Sequence, residues 1–299
     1  MSFSAEVKSE LCRLGLTQGE LARAEAYGVL LYANTFSARE IRIITTHPDV
    51  ARRLPKLWSR AFGFGFDGLS RPERGGKTVL TVVDREKIRE IFRRFGYDPE
   101  ELLSHHINLG VLEDDRFRAA FLRGAFLAGG SVTDPAKRCH LELVTDHRSV
   151  SGEAFSLLLE MGFTPRETLR AGHYMLYFKQ SEAIEDFLTT IGAPAASMAV
   201  MSAKIEKDMR NAVNRKVNCD SANADKIVSA AQAQLDRIRE LGLDGLPPDL
   251  RDAALLRIAN PEASLAELAL LSDPPVSKST MSYRLKKLMR LPNPDAGEA

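Results

Sequence analysis

Cysteine is scarce. Cys12, Cys139 and Cys219 are scattered through 299 residues, odd in number and without a C-x-x-C pair. That excludes a disulfide framework and a cysteine zinc site, and suits a reducing compartment. Histidine supplies no metal motif either: of six, only His105 and His106 are adjacent, and neither H-E-x-x-H nor a Cys/His cluster occurs. The pair reads as part of a surface connector, and no cofactor is expected. Long apolar runs are missing too; Leu268 to Leu271 is far too short to cross a bilayer. The start, Met1-Ser2-Phe3-Ser4-Ala5-Glu6, lacks the basic, apolar and small-residue regions of a signal peptide. A cytoplasmic protein is the expectation. Charge excess is absent as well, since the net charge is +1. Nucleic-acid binding, if present, has to come from local patches.

What is present suits globular folding, with 44% hydrophobic and 27% charged residues and length for two or three domains. Apolar periodicity predicts a helix from Glu20 to Ala33, a strand at Ile41–Thr45, and a helix from about Pro48 to Phe62 that Pro55 can kink. A Gly-rich segment, Gly63 to Gly76, leads to a strand at Thr78–Val83 and a helix capped by Asp84. The same order returns further on: helix Arg118 to Ala128, strand His140–Thr145, helix Arg148 to Met161, strand Tyr174–Phe178 and a helix closing at Gly192. Gly28 corresponds to Gly124, and Phe62-Gly63-Phe64 to Met161-Gly162-Phe163. Two such units fold as a pseudo-symmetric pair, because each leaves an apolar face for the other.

Leu122-Arg123-Gly124-Ala125-Phe126-Leu127-Ala128-Gly129-Gly130 resembles the LAGLIDADG motif of homing endonucleases, and Ala26-Tyr27-Gly28-Val29-Leu30-Leu31-Tyr32-Ala33-Asn34 resembles a weaker first copy. The resemblance implies that the two motif helices pack on each other through small residues and that two sheets form a DNA-gripping saddle. In that family an acid ends each motif and holds a divalent metal at the scissile phosphates. Here those positions are Ala33 and Gly129, so no nuclease is expected. Asp134 stands a few residues further on, either as a displaced ligand or as the head of a Thr-Asp-Pro turn, and the first unit has no matching acid. Arg42, His47, Lys77 and Lys179 are either contacts of the saddle or solvated strand edges.

From Met198 the chain turns polar and helical, interrupted at Asn211–Asp220, and a further helix runs from about Ser221 to Leu241. Lys204, Lys207, Arg210, Arg215 and Lys216 either follow a phosphate backbone or belong to an ordinary amphipathic linker. The last module reads as three helices. Leu250 to Asn260 has Leu250, Ala254, Leu255 and Ile258 inward; Ser264-Leu265-Ala266-Glu267 is a capping box; Pro274-Pro275 forces a turn; Ser277 caps the third helix. Met281, Leu285 and Leu288 form its apolar stripe, opposite Ser279, Ser282, Tyr283, Lys286 and Arg290, with Lys287 beside them. No acid lies between Asp273 and Asp295. Such a helix fits a major groove, and Ser277, Lys278, Ser279, Thr280, Ser282, Tyr283, Arg284, Lys286, Lys287 and Arg290 are the candidate DNA contacts.

Both repeats, the Asn214-Arg215-Lys216-Val217-Asn218-Cys219 run and the three-helix module together resemble the WhiA family. The resemblance implies a transcription regulator tied to sporulation or to cell division and chromosome segregation. Promoter duplex DNA would be its ligand, and a WhiB-type iron–sulfur regulator a partner in spore-forming filamentous bacteria. The expected fold class is α+β: a pseudo-twofold LAGLIDADG-like tandem repeat, then a helical linker and an all-α helix-turn-helix domain. Residues 1–19 would be an N-terminal arm, 20–197 the repeat domain (repeats about 20–96 and 118–192), 198–246 the linker, 247–292 the DNA-binding domain and 293–299 a tail. An endonuclease or maturase relative, or a nucleoid-associated interaction platform, are the other readings of the same features.

Overall fold

Alternating burial along Ile41–Thr45, with Ile41 and Ile43 inward and Arg42 outward, makes this segment a half-buried strand. The same pattern builds the centre of both sheets in the first of two units into which the chain divides, Met1–Asp208 and Met209–Ala299. The structure is a computed structural model and describes residues 2–16, 19–70, 76–98, 100 and 104–292, excepting the side chains of Asp220, Asn223 and Ala224. The expected tail, 293–299, lies outside the described residues.

In the first unit, α1 (Phe3–Cys12) precedes a repeat of α2 (Gly19–Leu31), β1 (Thr35–Phe36), β2 (Ile41–Thr45), α3 (Pro48–Phe62), β3 (Gly68–Ser70), β4 (Thr78–Val82) and α4 (Arg85–Arg94). The second repeat follows as α5 (Asp115–Gly129), β5 (Gly130–Val132), β6 (Leu141–Thr145), α6 (Arg148–Glu160), β7 (Arg166–Arg170), β8 (His173–Phe178) and α7 (Ser181–Ile191). Each repeat forms an antiparallel sheet with the same strand order, β1-β2-β4-β3 and β5-β6-β8-β7. Matching register pairs are Ile43 with Leu80 and Leu143 with Leu176. Asp84 starts α4 as the sequence indicates, its carboxylate accepting from the amides of Glu86 and Lys87.

The repeats meet where α2 lies against α5. A methyl group on Gly28 would stand 2.0 Å from the Phe121 carbonyl oxygen, and one on Gly124 would stand 1.9 Å from that of Glu25. Both contacts are with backbone, so neither helix can tolerate a Cβ there without moving away. Glu25 is buried beside this seam, 1% exposed. Its carboxylate accepts from Arg53 of α3 at 2.6 and 2.8 Å and from Arg123 of α5 at 2.8 Å. Arg53 also donates to the carbonyls of Cys12 and Leu14, and Arg123 to that of Ile191. One carboxylate thus ties both repeats and two chain turns together, and removing it would leave two guanidinium groups buried without their counter-charge.

Several elements differ from the sequence reading. Residues 1–19, set apart as an arm, supply α1, whose Val7 and Leu11 are fully buried in the first unit's core. The interruption at Asn211–Asp220 is absent: α8 runs continuously over Pro194–Leu241. Asn211–Asp220 holds neither Gly nor Pro, and its asparagines each cost well under about 1 kcal/mol of helix propensity, too little to break a helix. The strands β1, β3, β5 and β7 were not foreseen, and all four are sheet edges. His105 is not on a surface: it is buried, stacked on Phe36 at 4.7 Å, with Nε2 donating to the Phe36 carbonyl at 2.6 Å. His106 is the exposed member, bonded to Glu153 at 2.7 Å.

In the second unit α9 (Pro248–Ala259), α10 (Leu265–Leu270) and α11 (Lys278–Arg290) enclose a core of Leu250, Ala253, Ala254, Leu268, Ala269, Met281, Leu285 and Leu288, to which α8 contributes Ile238. Leu255 and Ile258, expected inward, are 45% and 46% exposed; Ala253 and Arg257 take the inner stripe instead. Buried Arg257 is satisfied by Gln234 Oε1 at 3.0 Å and the Ala263 carbonyl at 2.7 Å.

Three outcomes follow for stability. Gly28→Ala or Gly124→Ala should cost about 3 kcal/mol in urea unfolding by forcing the helices apart. Gly152→Ala, inside α6 with nothing within 4 Å of the added methyl, should instead gain about 0.5–1 kcal/mol. Burial, with the neighbouring His147 second, pushes the His105 pKa down from 6.5 to about 4. The unfolded chain therefore binds a proton first as pH falls, so this contribution is complete above about pH 6.5 and is lost progressively toward pH 4. Urea midpoints at pH 7 and pH 5 should differ less for His105→Gln than for the parent chain.

Candidate nucleic-acid interface

The third helix of the second unit begins because Ser277 closes its first turn, the hydroxyl accepting from the Thr280 amide at 3.1 Å. Val276 is folded back, its amide donating to the Ala269 carbonyl at 3.0 Å. The connection from Leu271 to Ser277 includes the cis Asp273–Pro274 bond. At the start of α10, Ser264 and Glu267 form the full capping box, Glu267 Oε2 accepting from the Ser264 amide at 2.7 Å. These caps fix both helix starts, and packing then orients α11, whose Met281, Leu285 and Leu288 are at most 1% exposed.

With that stripe inward, Ser277, Lys278, Ser279, Thr280, Tyr283, Lys286, Lys287 and Arg290 are exposed, and Ser282 and Arg284 half-buried. Lys278, Ser279, Ser282, Tyr283 and Lys286 come together around one shallow concavity of about 420 Å³, with Leu265 of α10 as its apolar wall. Leu265 escaped the sequence reading, since its place on the core stripe of α10 gave no sign that its flank faces the α11 residues. Thr280 and Ser277 are joined to each other, hydroxyl to hydroxyl at 2.9 Å, and serve the helix start. Tyr283 is 62% exposed, an aromatic face flanked by amines and hydroxyls. Such a surface offers donors and a stacking plane to base edges, and ammonium groups to phosphates.

The motif helices in the first unit end differently from the endonuclease pattern. Ala33 carries a methyl group, and a Cβ at Gly129 would lie 2.3 Å from the Val144 carbonyl oxygen and 3.0 Å from the Tyr32 ring. Position 129 therefore has no room for a carboxylate, and this pair does not fit a divalent metal. Asp134 is exposed and heads a turn, its carboxylate accepting from the Ala136 amide at 3.0 Å and its carbonyl from Lys137 and Arg138.

The outward sheet faces are mixed in charge. Arg42 is exposed and reaches Thr35 at 3.3 Å, while Glu142 occupies the middle of the second sheet, bonded to Ser131 and His140. His47 is not a face residue: it caps α3 through Nδ1 and donates from Nε2 to the Ala5 carbonyl at 2.9 Å. Lys77 is exposed, and the Lys179 ammonium sits 5.1 Å from the Tyr177 ring centre. On α8, Lys204 is paired with Glu182, whereas Lys207, Arg210, Arg215 and Lys216 are exposed.

A tandem LAGLIDADG-like repeat followed by a helix-turn-helix domain defines the class of protein. Two family profiles match these parts separately, "WhiA LAGLIDADG-like domain" over residues 118–210 and "WhiA C-terminal HTH domain" over residues 213–292. A probable cell division protein WhiA of Clostridium botulinum is 33% identical over 307 residues, covering 97% of this chain and 98% of its own. That of Ruminiclostridium cellulolyticum is 37% identical over 301 residues, covering 96% of each. The crystal structure of full-length WhiA from Thermotoga maritima shares the fold with a TM-score of 0.61 and 24% identity over 97% of both chains. The chain belongs to the WhiA family.

Proposed function

We propose that the chain is a sequence-specific, DNA-binding transcription regulator of cell division, chromosome segregation or sporulation, without nuclease activity and associated with the nucleoid. The observation that carries this reading is α11: capped, acid-free over its length, and presenting hydroxyls, an aromatic ring and amines on one exposed face. The name shared by its curated relatives, probable cell division protein WhiA, supports the biological setting.

In this reading Lys286, Arg290, Lys287 and Lys278 neutralise phosphates, with Arg284 at the edge of the contact. Ser279, Ser282 and Tyr283 reach base edges, and Ser277 and Thr280 hold the helix start against the backbone. Residues 247–292 act as the DNA-binding domain, 198–246 as the linker and 20–197 as the repeat domain. The methyl group of Ala33 and the crowded Gly129 support the loss of cleavage chemistry. A WhiB-type iron–sulfur regulator is the proposed protein partner, to be sought by co-purification.

Binding of the full chain to a selected duplex, measured against salt, separates the roles. Lys286→Ala should weaken binding to all sequences and flatten the slope of log K against log[salt] by about one ion. Ser282→Ala with Tyr283→Ala should narrow the gap between selected and random duplexes at nearly constant slope. A changed sequence choice with an intact slope for Lys286→Ala would contradict the assignment. Supercoiled plasmid carrying the selected site should stay intact with magnesium or manganese, and nicking that Asp134→Ala abolishes would overturn the non-nuclease reading.

A further inference from the structure

One cavity in the first unit lies away from both sheets. It is a groove of about 1010 Å³ between α1, the turn that follows it, and one side of α3. Among the described residues that line it, the cations are Arg13, Arg52, Arg53, Lys56 and Arg60, and the one acid is Asp49. The spacing explains the arrangement: Arg52, Lys56 and Arg60 stand four residues apart on α3, so they project from one side at intervals of about 6 Å. Arg13 enters from the end of α1.

These charges are not equivalent. Arg53 is committed to Glu25 and to the carbonyls of Cys12 and Leu14, and so builds the floor. Arg52 is paired with Asp49, which also accepts from Ser9 Oγ at 2.6 Å. The Ser9 bond, with Arg52 next, holds the Asp49 carboxyl below its ordinary pKa, so it stays charged and cancels one cation. Arg13 and Lys56 are exposed, and neither side chain has an ion-pair partner among the described residues. Leu14, Leu16 and Pro55 supply apolar wall. The Cys12 thiol, pushed up to about 12 by burial, adds no charge.

We propose that this groove is a binding site for a small molecule carrying several phosphates on an apolar or planar body, of the nucleotide class. A cavity of this volume is at the upper end of small-molecule sites. Lys56 of α3 and Arg13 at the end of α1 offer an ammonium and a guanidinium to the phosphates. The apolar wall takes the body of the ligand. A nucleic-acid backbone would use the cations and leave the walls of Leu14, Leu16 and Pro55 idle, so the apolar walls favour the small molecule.

The test uses the full chain in titration calorimetry with ATP, inorganic tripolyphosphate and a random-sequence duplex as probes, in parallel with Lys286→Ala/Arg290→Ala to suppress binding through α11. Expected is saturable one-to-one binding of ATP, tighter than that of tripolyphosphate. Arg13→Glu/Lys56→Glu should reduce ATP affinity at least about tenfold with an unchanged melting midpoint, and Arg13→Lys/Lys56→Arg should retain it. If the double charge reversal lowers the melting midpoint, Lys56→Ala alone serves, with a smaller loss expected. Absence of saturable ATP binding up to about 1 mM, or binding equal in parent and charge-reversed chains, overturns the proposal. Duplex binding that depends on Arg13 and Lys56, without ATP binding, also overturns it and assigns the groove to a phosphodiester backbone.

Discussion

Two helix backbones in contact set the architecture of the first unit. Gly28 and Gly124 stand at equivalent places in the repeats, and each presses on the partner's main chain where even a methyl group would collide. That approach leaves no slack for sliding or rotation, because the contacts are with carbonyl oxygens and amides rather than with side chains that can turn aside. Everything beyond the seam inherits its position: each helix runs into an edge strand, each sheet is hung from that strand, and Glu25 locks the arrangement by drawing on an arginine from each repeat.

The same tightness governs what the motif helices can do at their ends. Beyond the seam, Gly129 is closed in by Val144 and by the buried ring of Tyr32. A carboxylate could return there only with a backbone shift that the glycine contacts oppose. Close packing therefore limits which side chain position 129 can carry, whereas the polar equipment of α11 is placed by other means. In the second unit the equipment depends on caps and a small core: Ser264, Glu267 and Ser277 start the helices, and Met281, Leu285 and Leu288 turn the polar side of α11 outward.

How much of this was legible in the chain depended on whether neighbours along the sequence carried the signal. The central strands were readable because Ile41, Ile43, Leu80, Leu141, Leu143 and Leu176 alternate with outward residues on strands flanked on both sides. The edge strands were not: Arg166–Arg170 is exposed throughout, and its strand character comes only from pairing with β8. His105 and His47 looked like surface histidines, since the carbonyls of Phe36 and Ala5 that hold them lie far away in sequence. Leu255 and Ile258 satisfied a loose helical period while the actual stripe passed through Ala253 and Arg257, a cation no pattern would place inside.

The sequence by itself determined the repeat, the two small-residue helices, the absence of acids at positions 33 and 129, and the capped, acid-free last helix. All of these are local patterns of size, charge and period. Tertiary structure alone decided that Gly129 is too crowded for a side chain, that Leu265 joins the α11 residues around one concavity, and that Arg13 lines one groove with the cations of α3. Those facts depend on distances between segments far apart in the chain, which packing sets and periodicity does not encode.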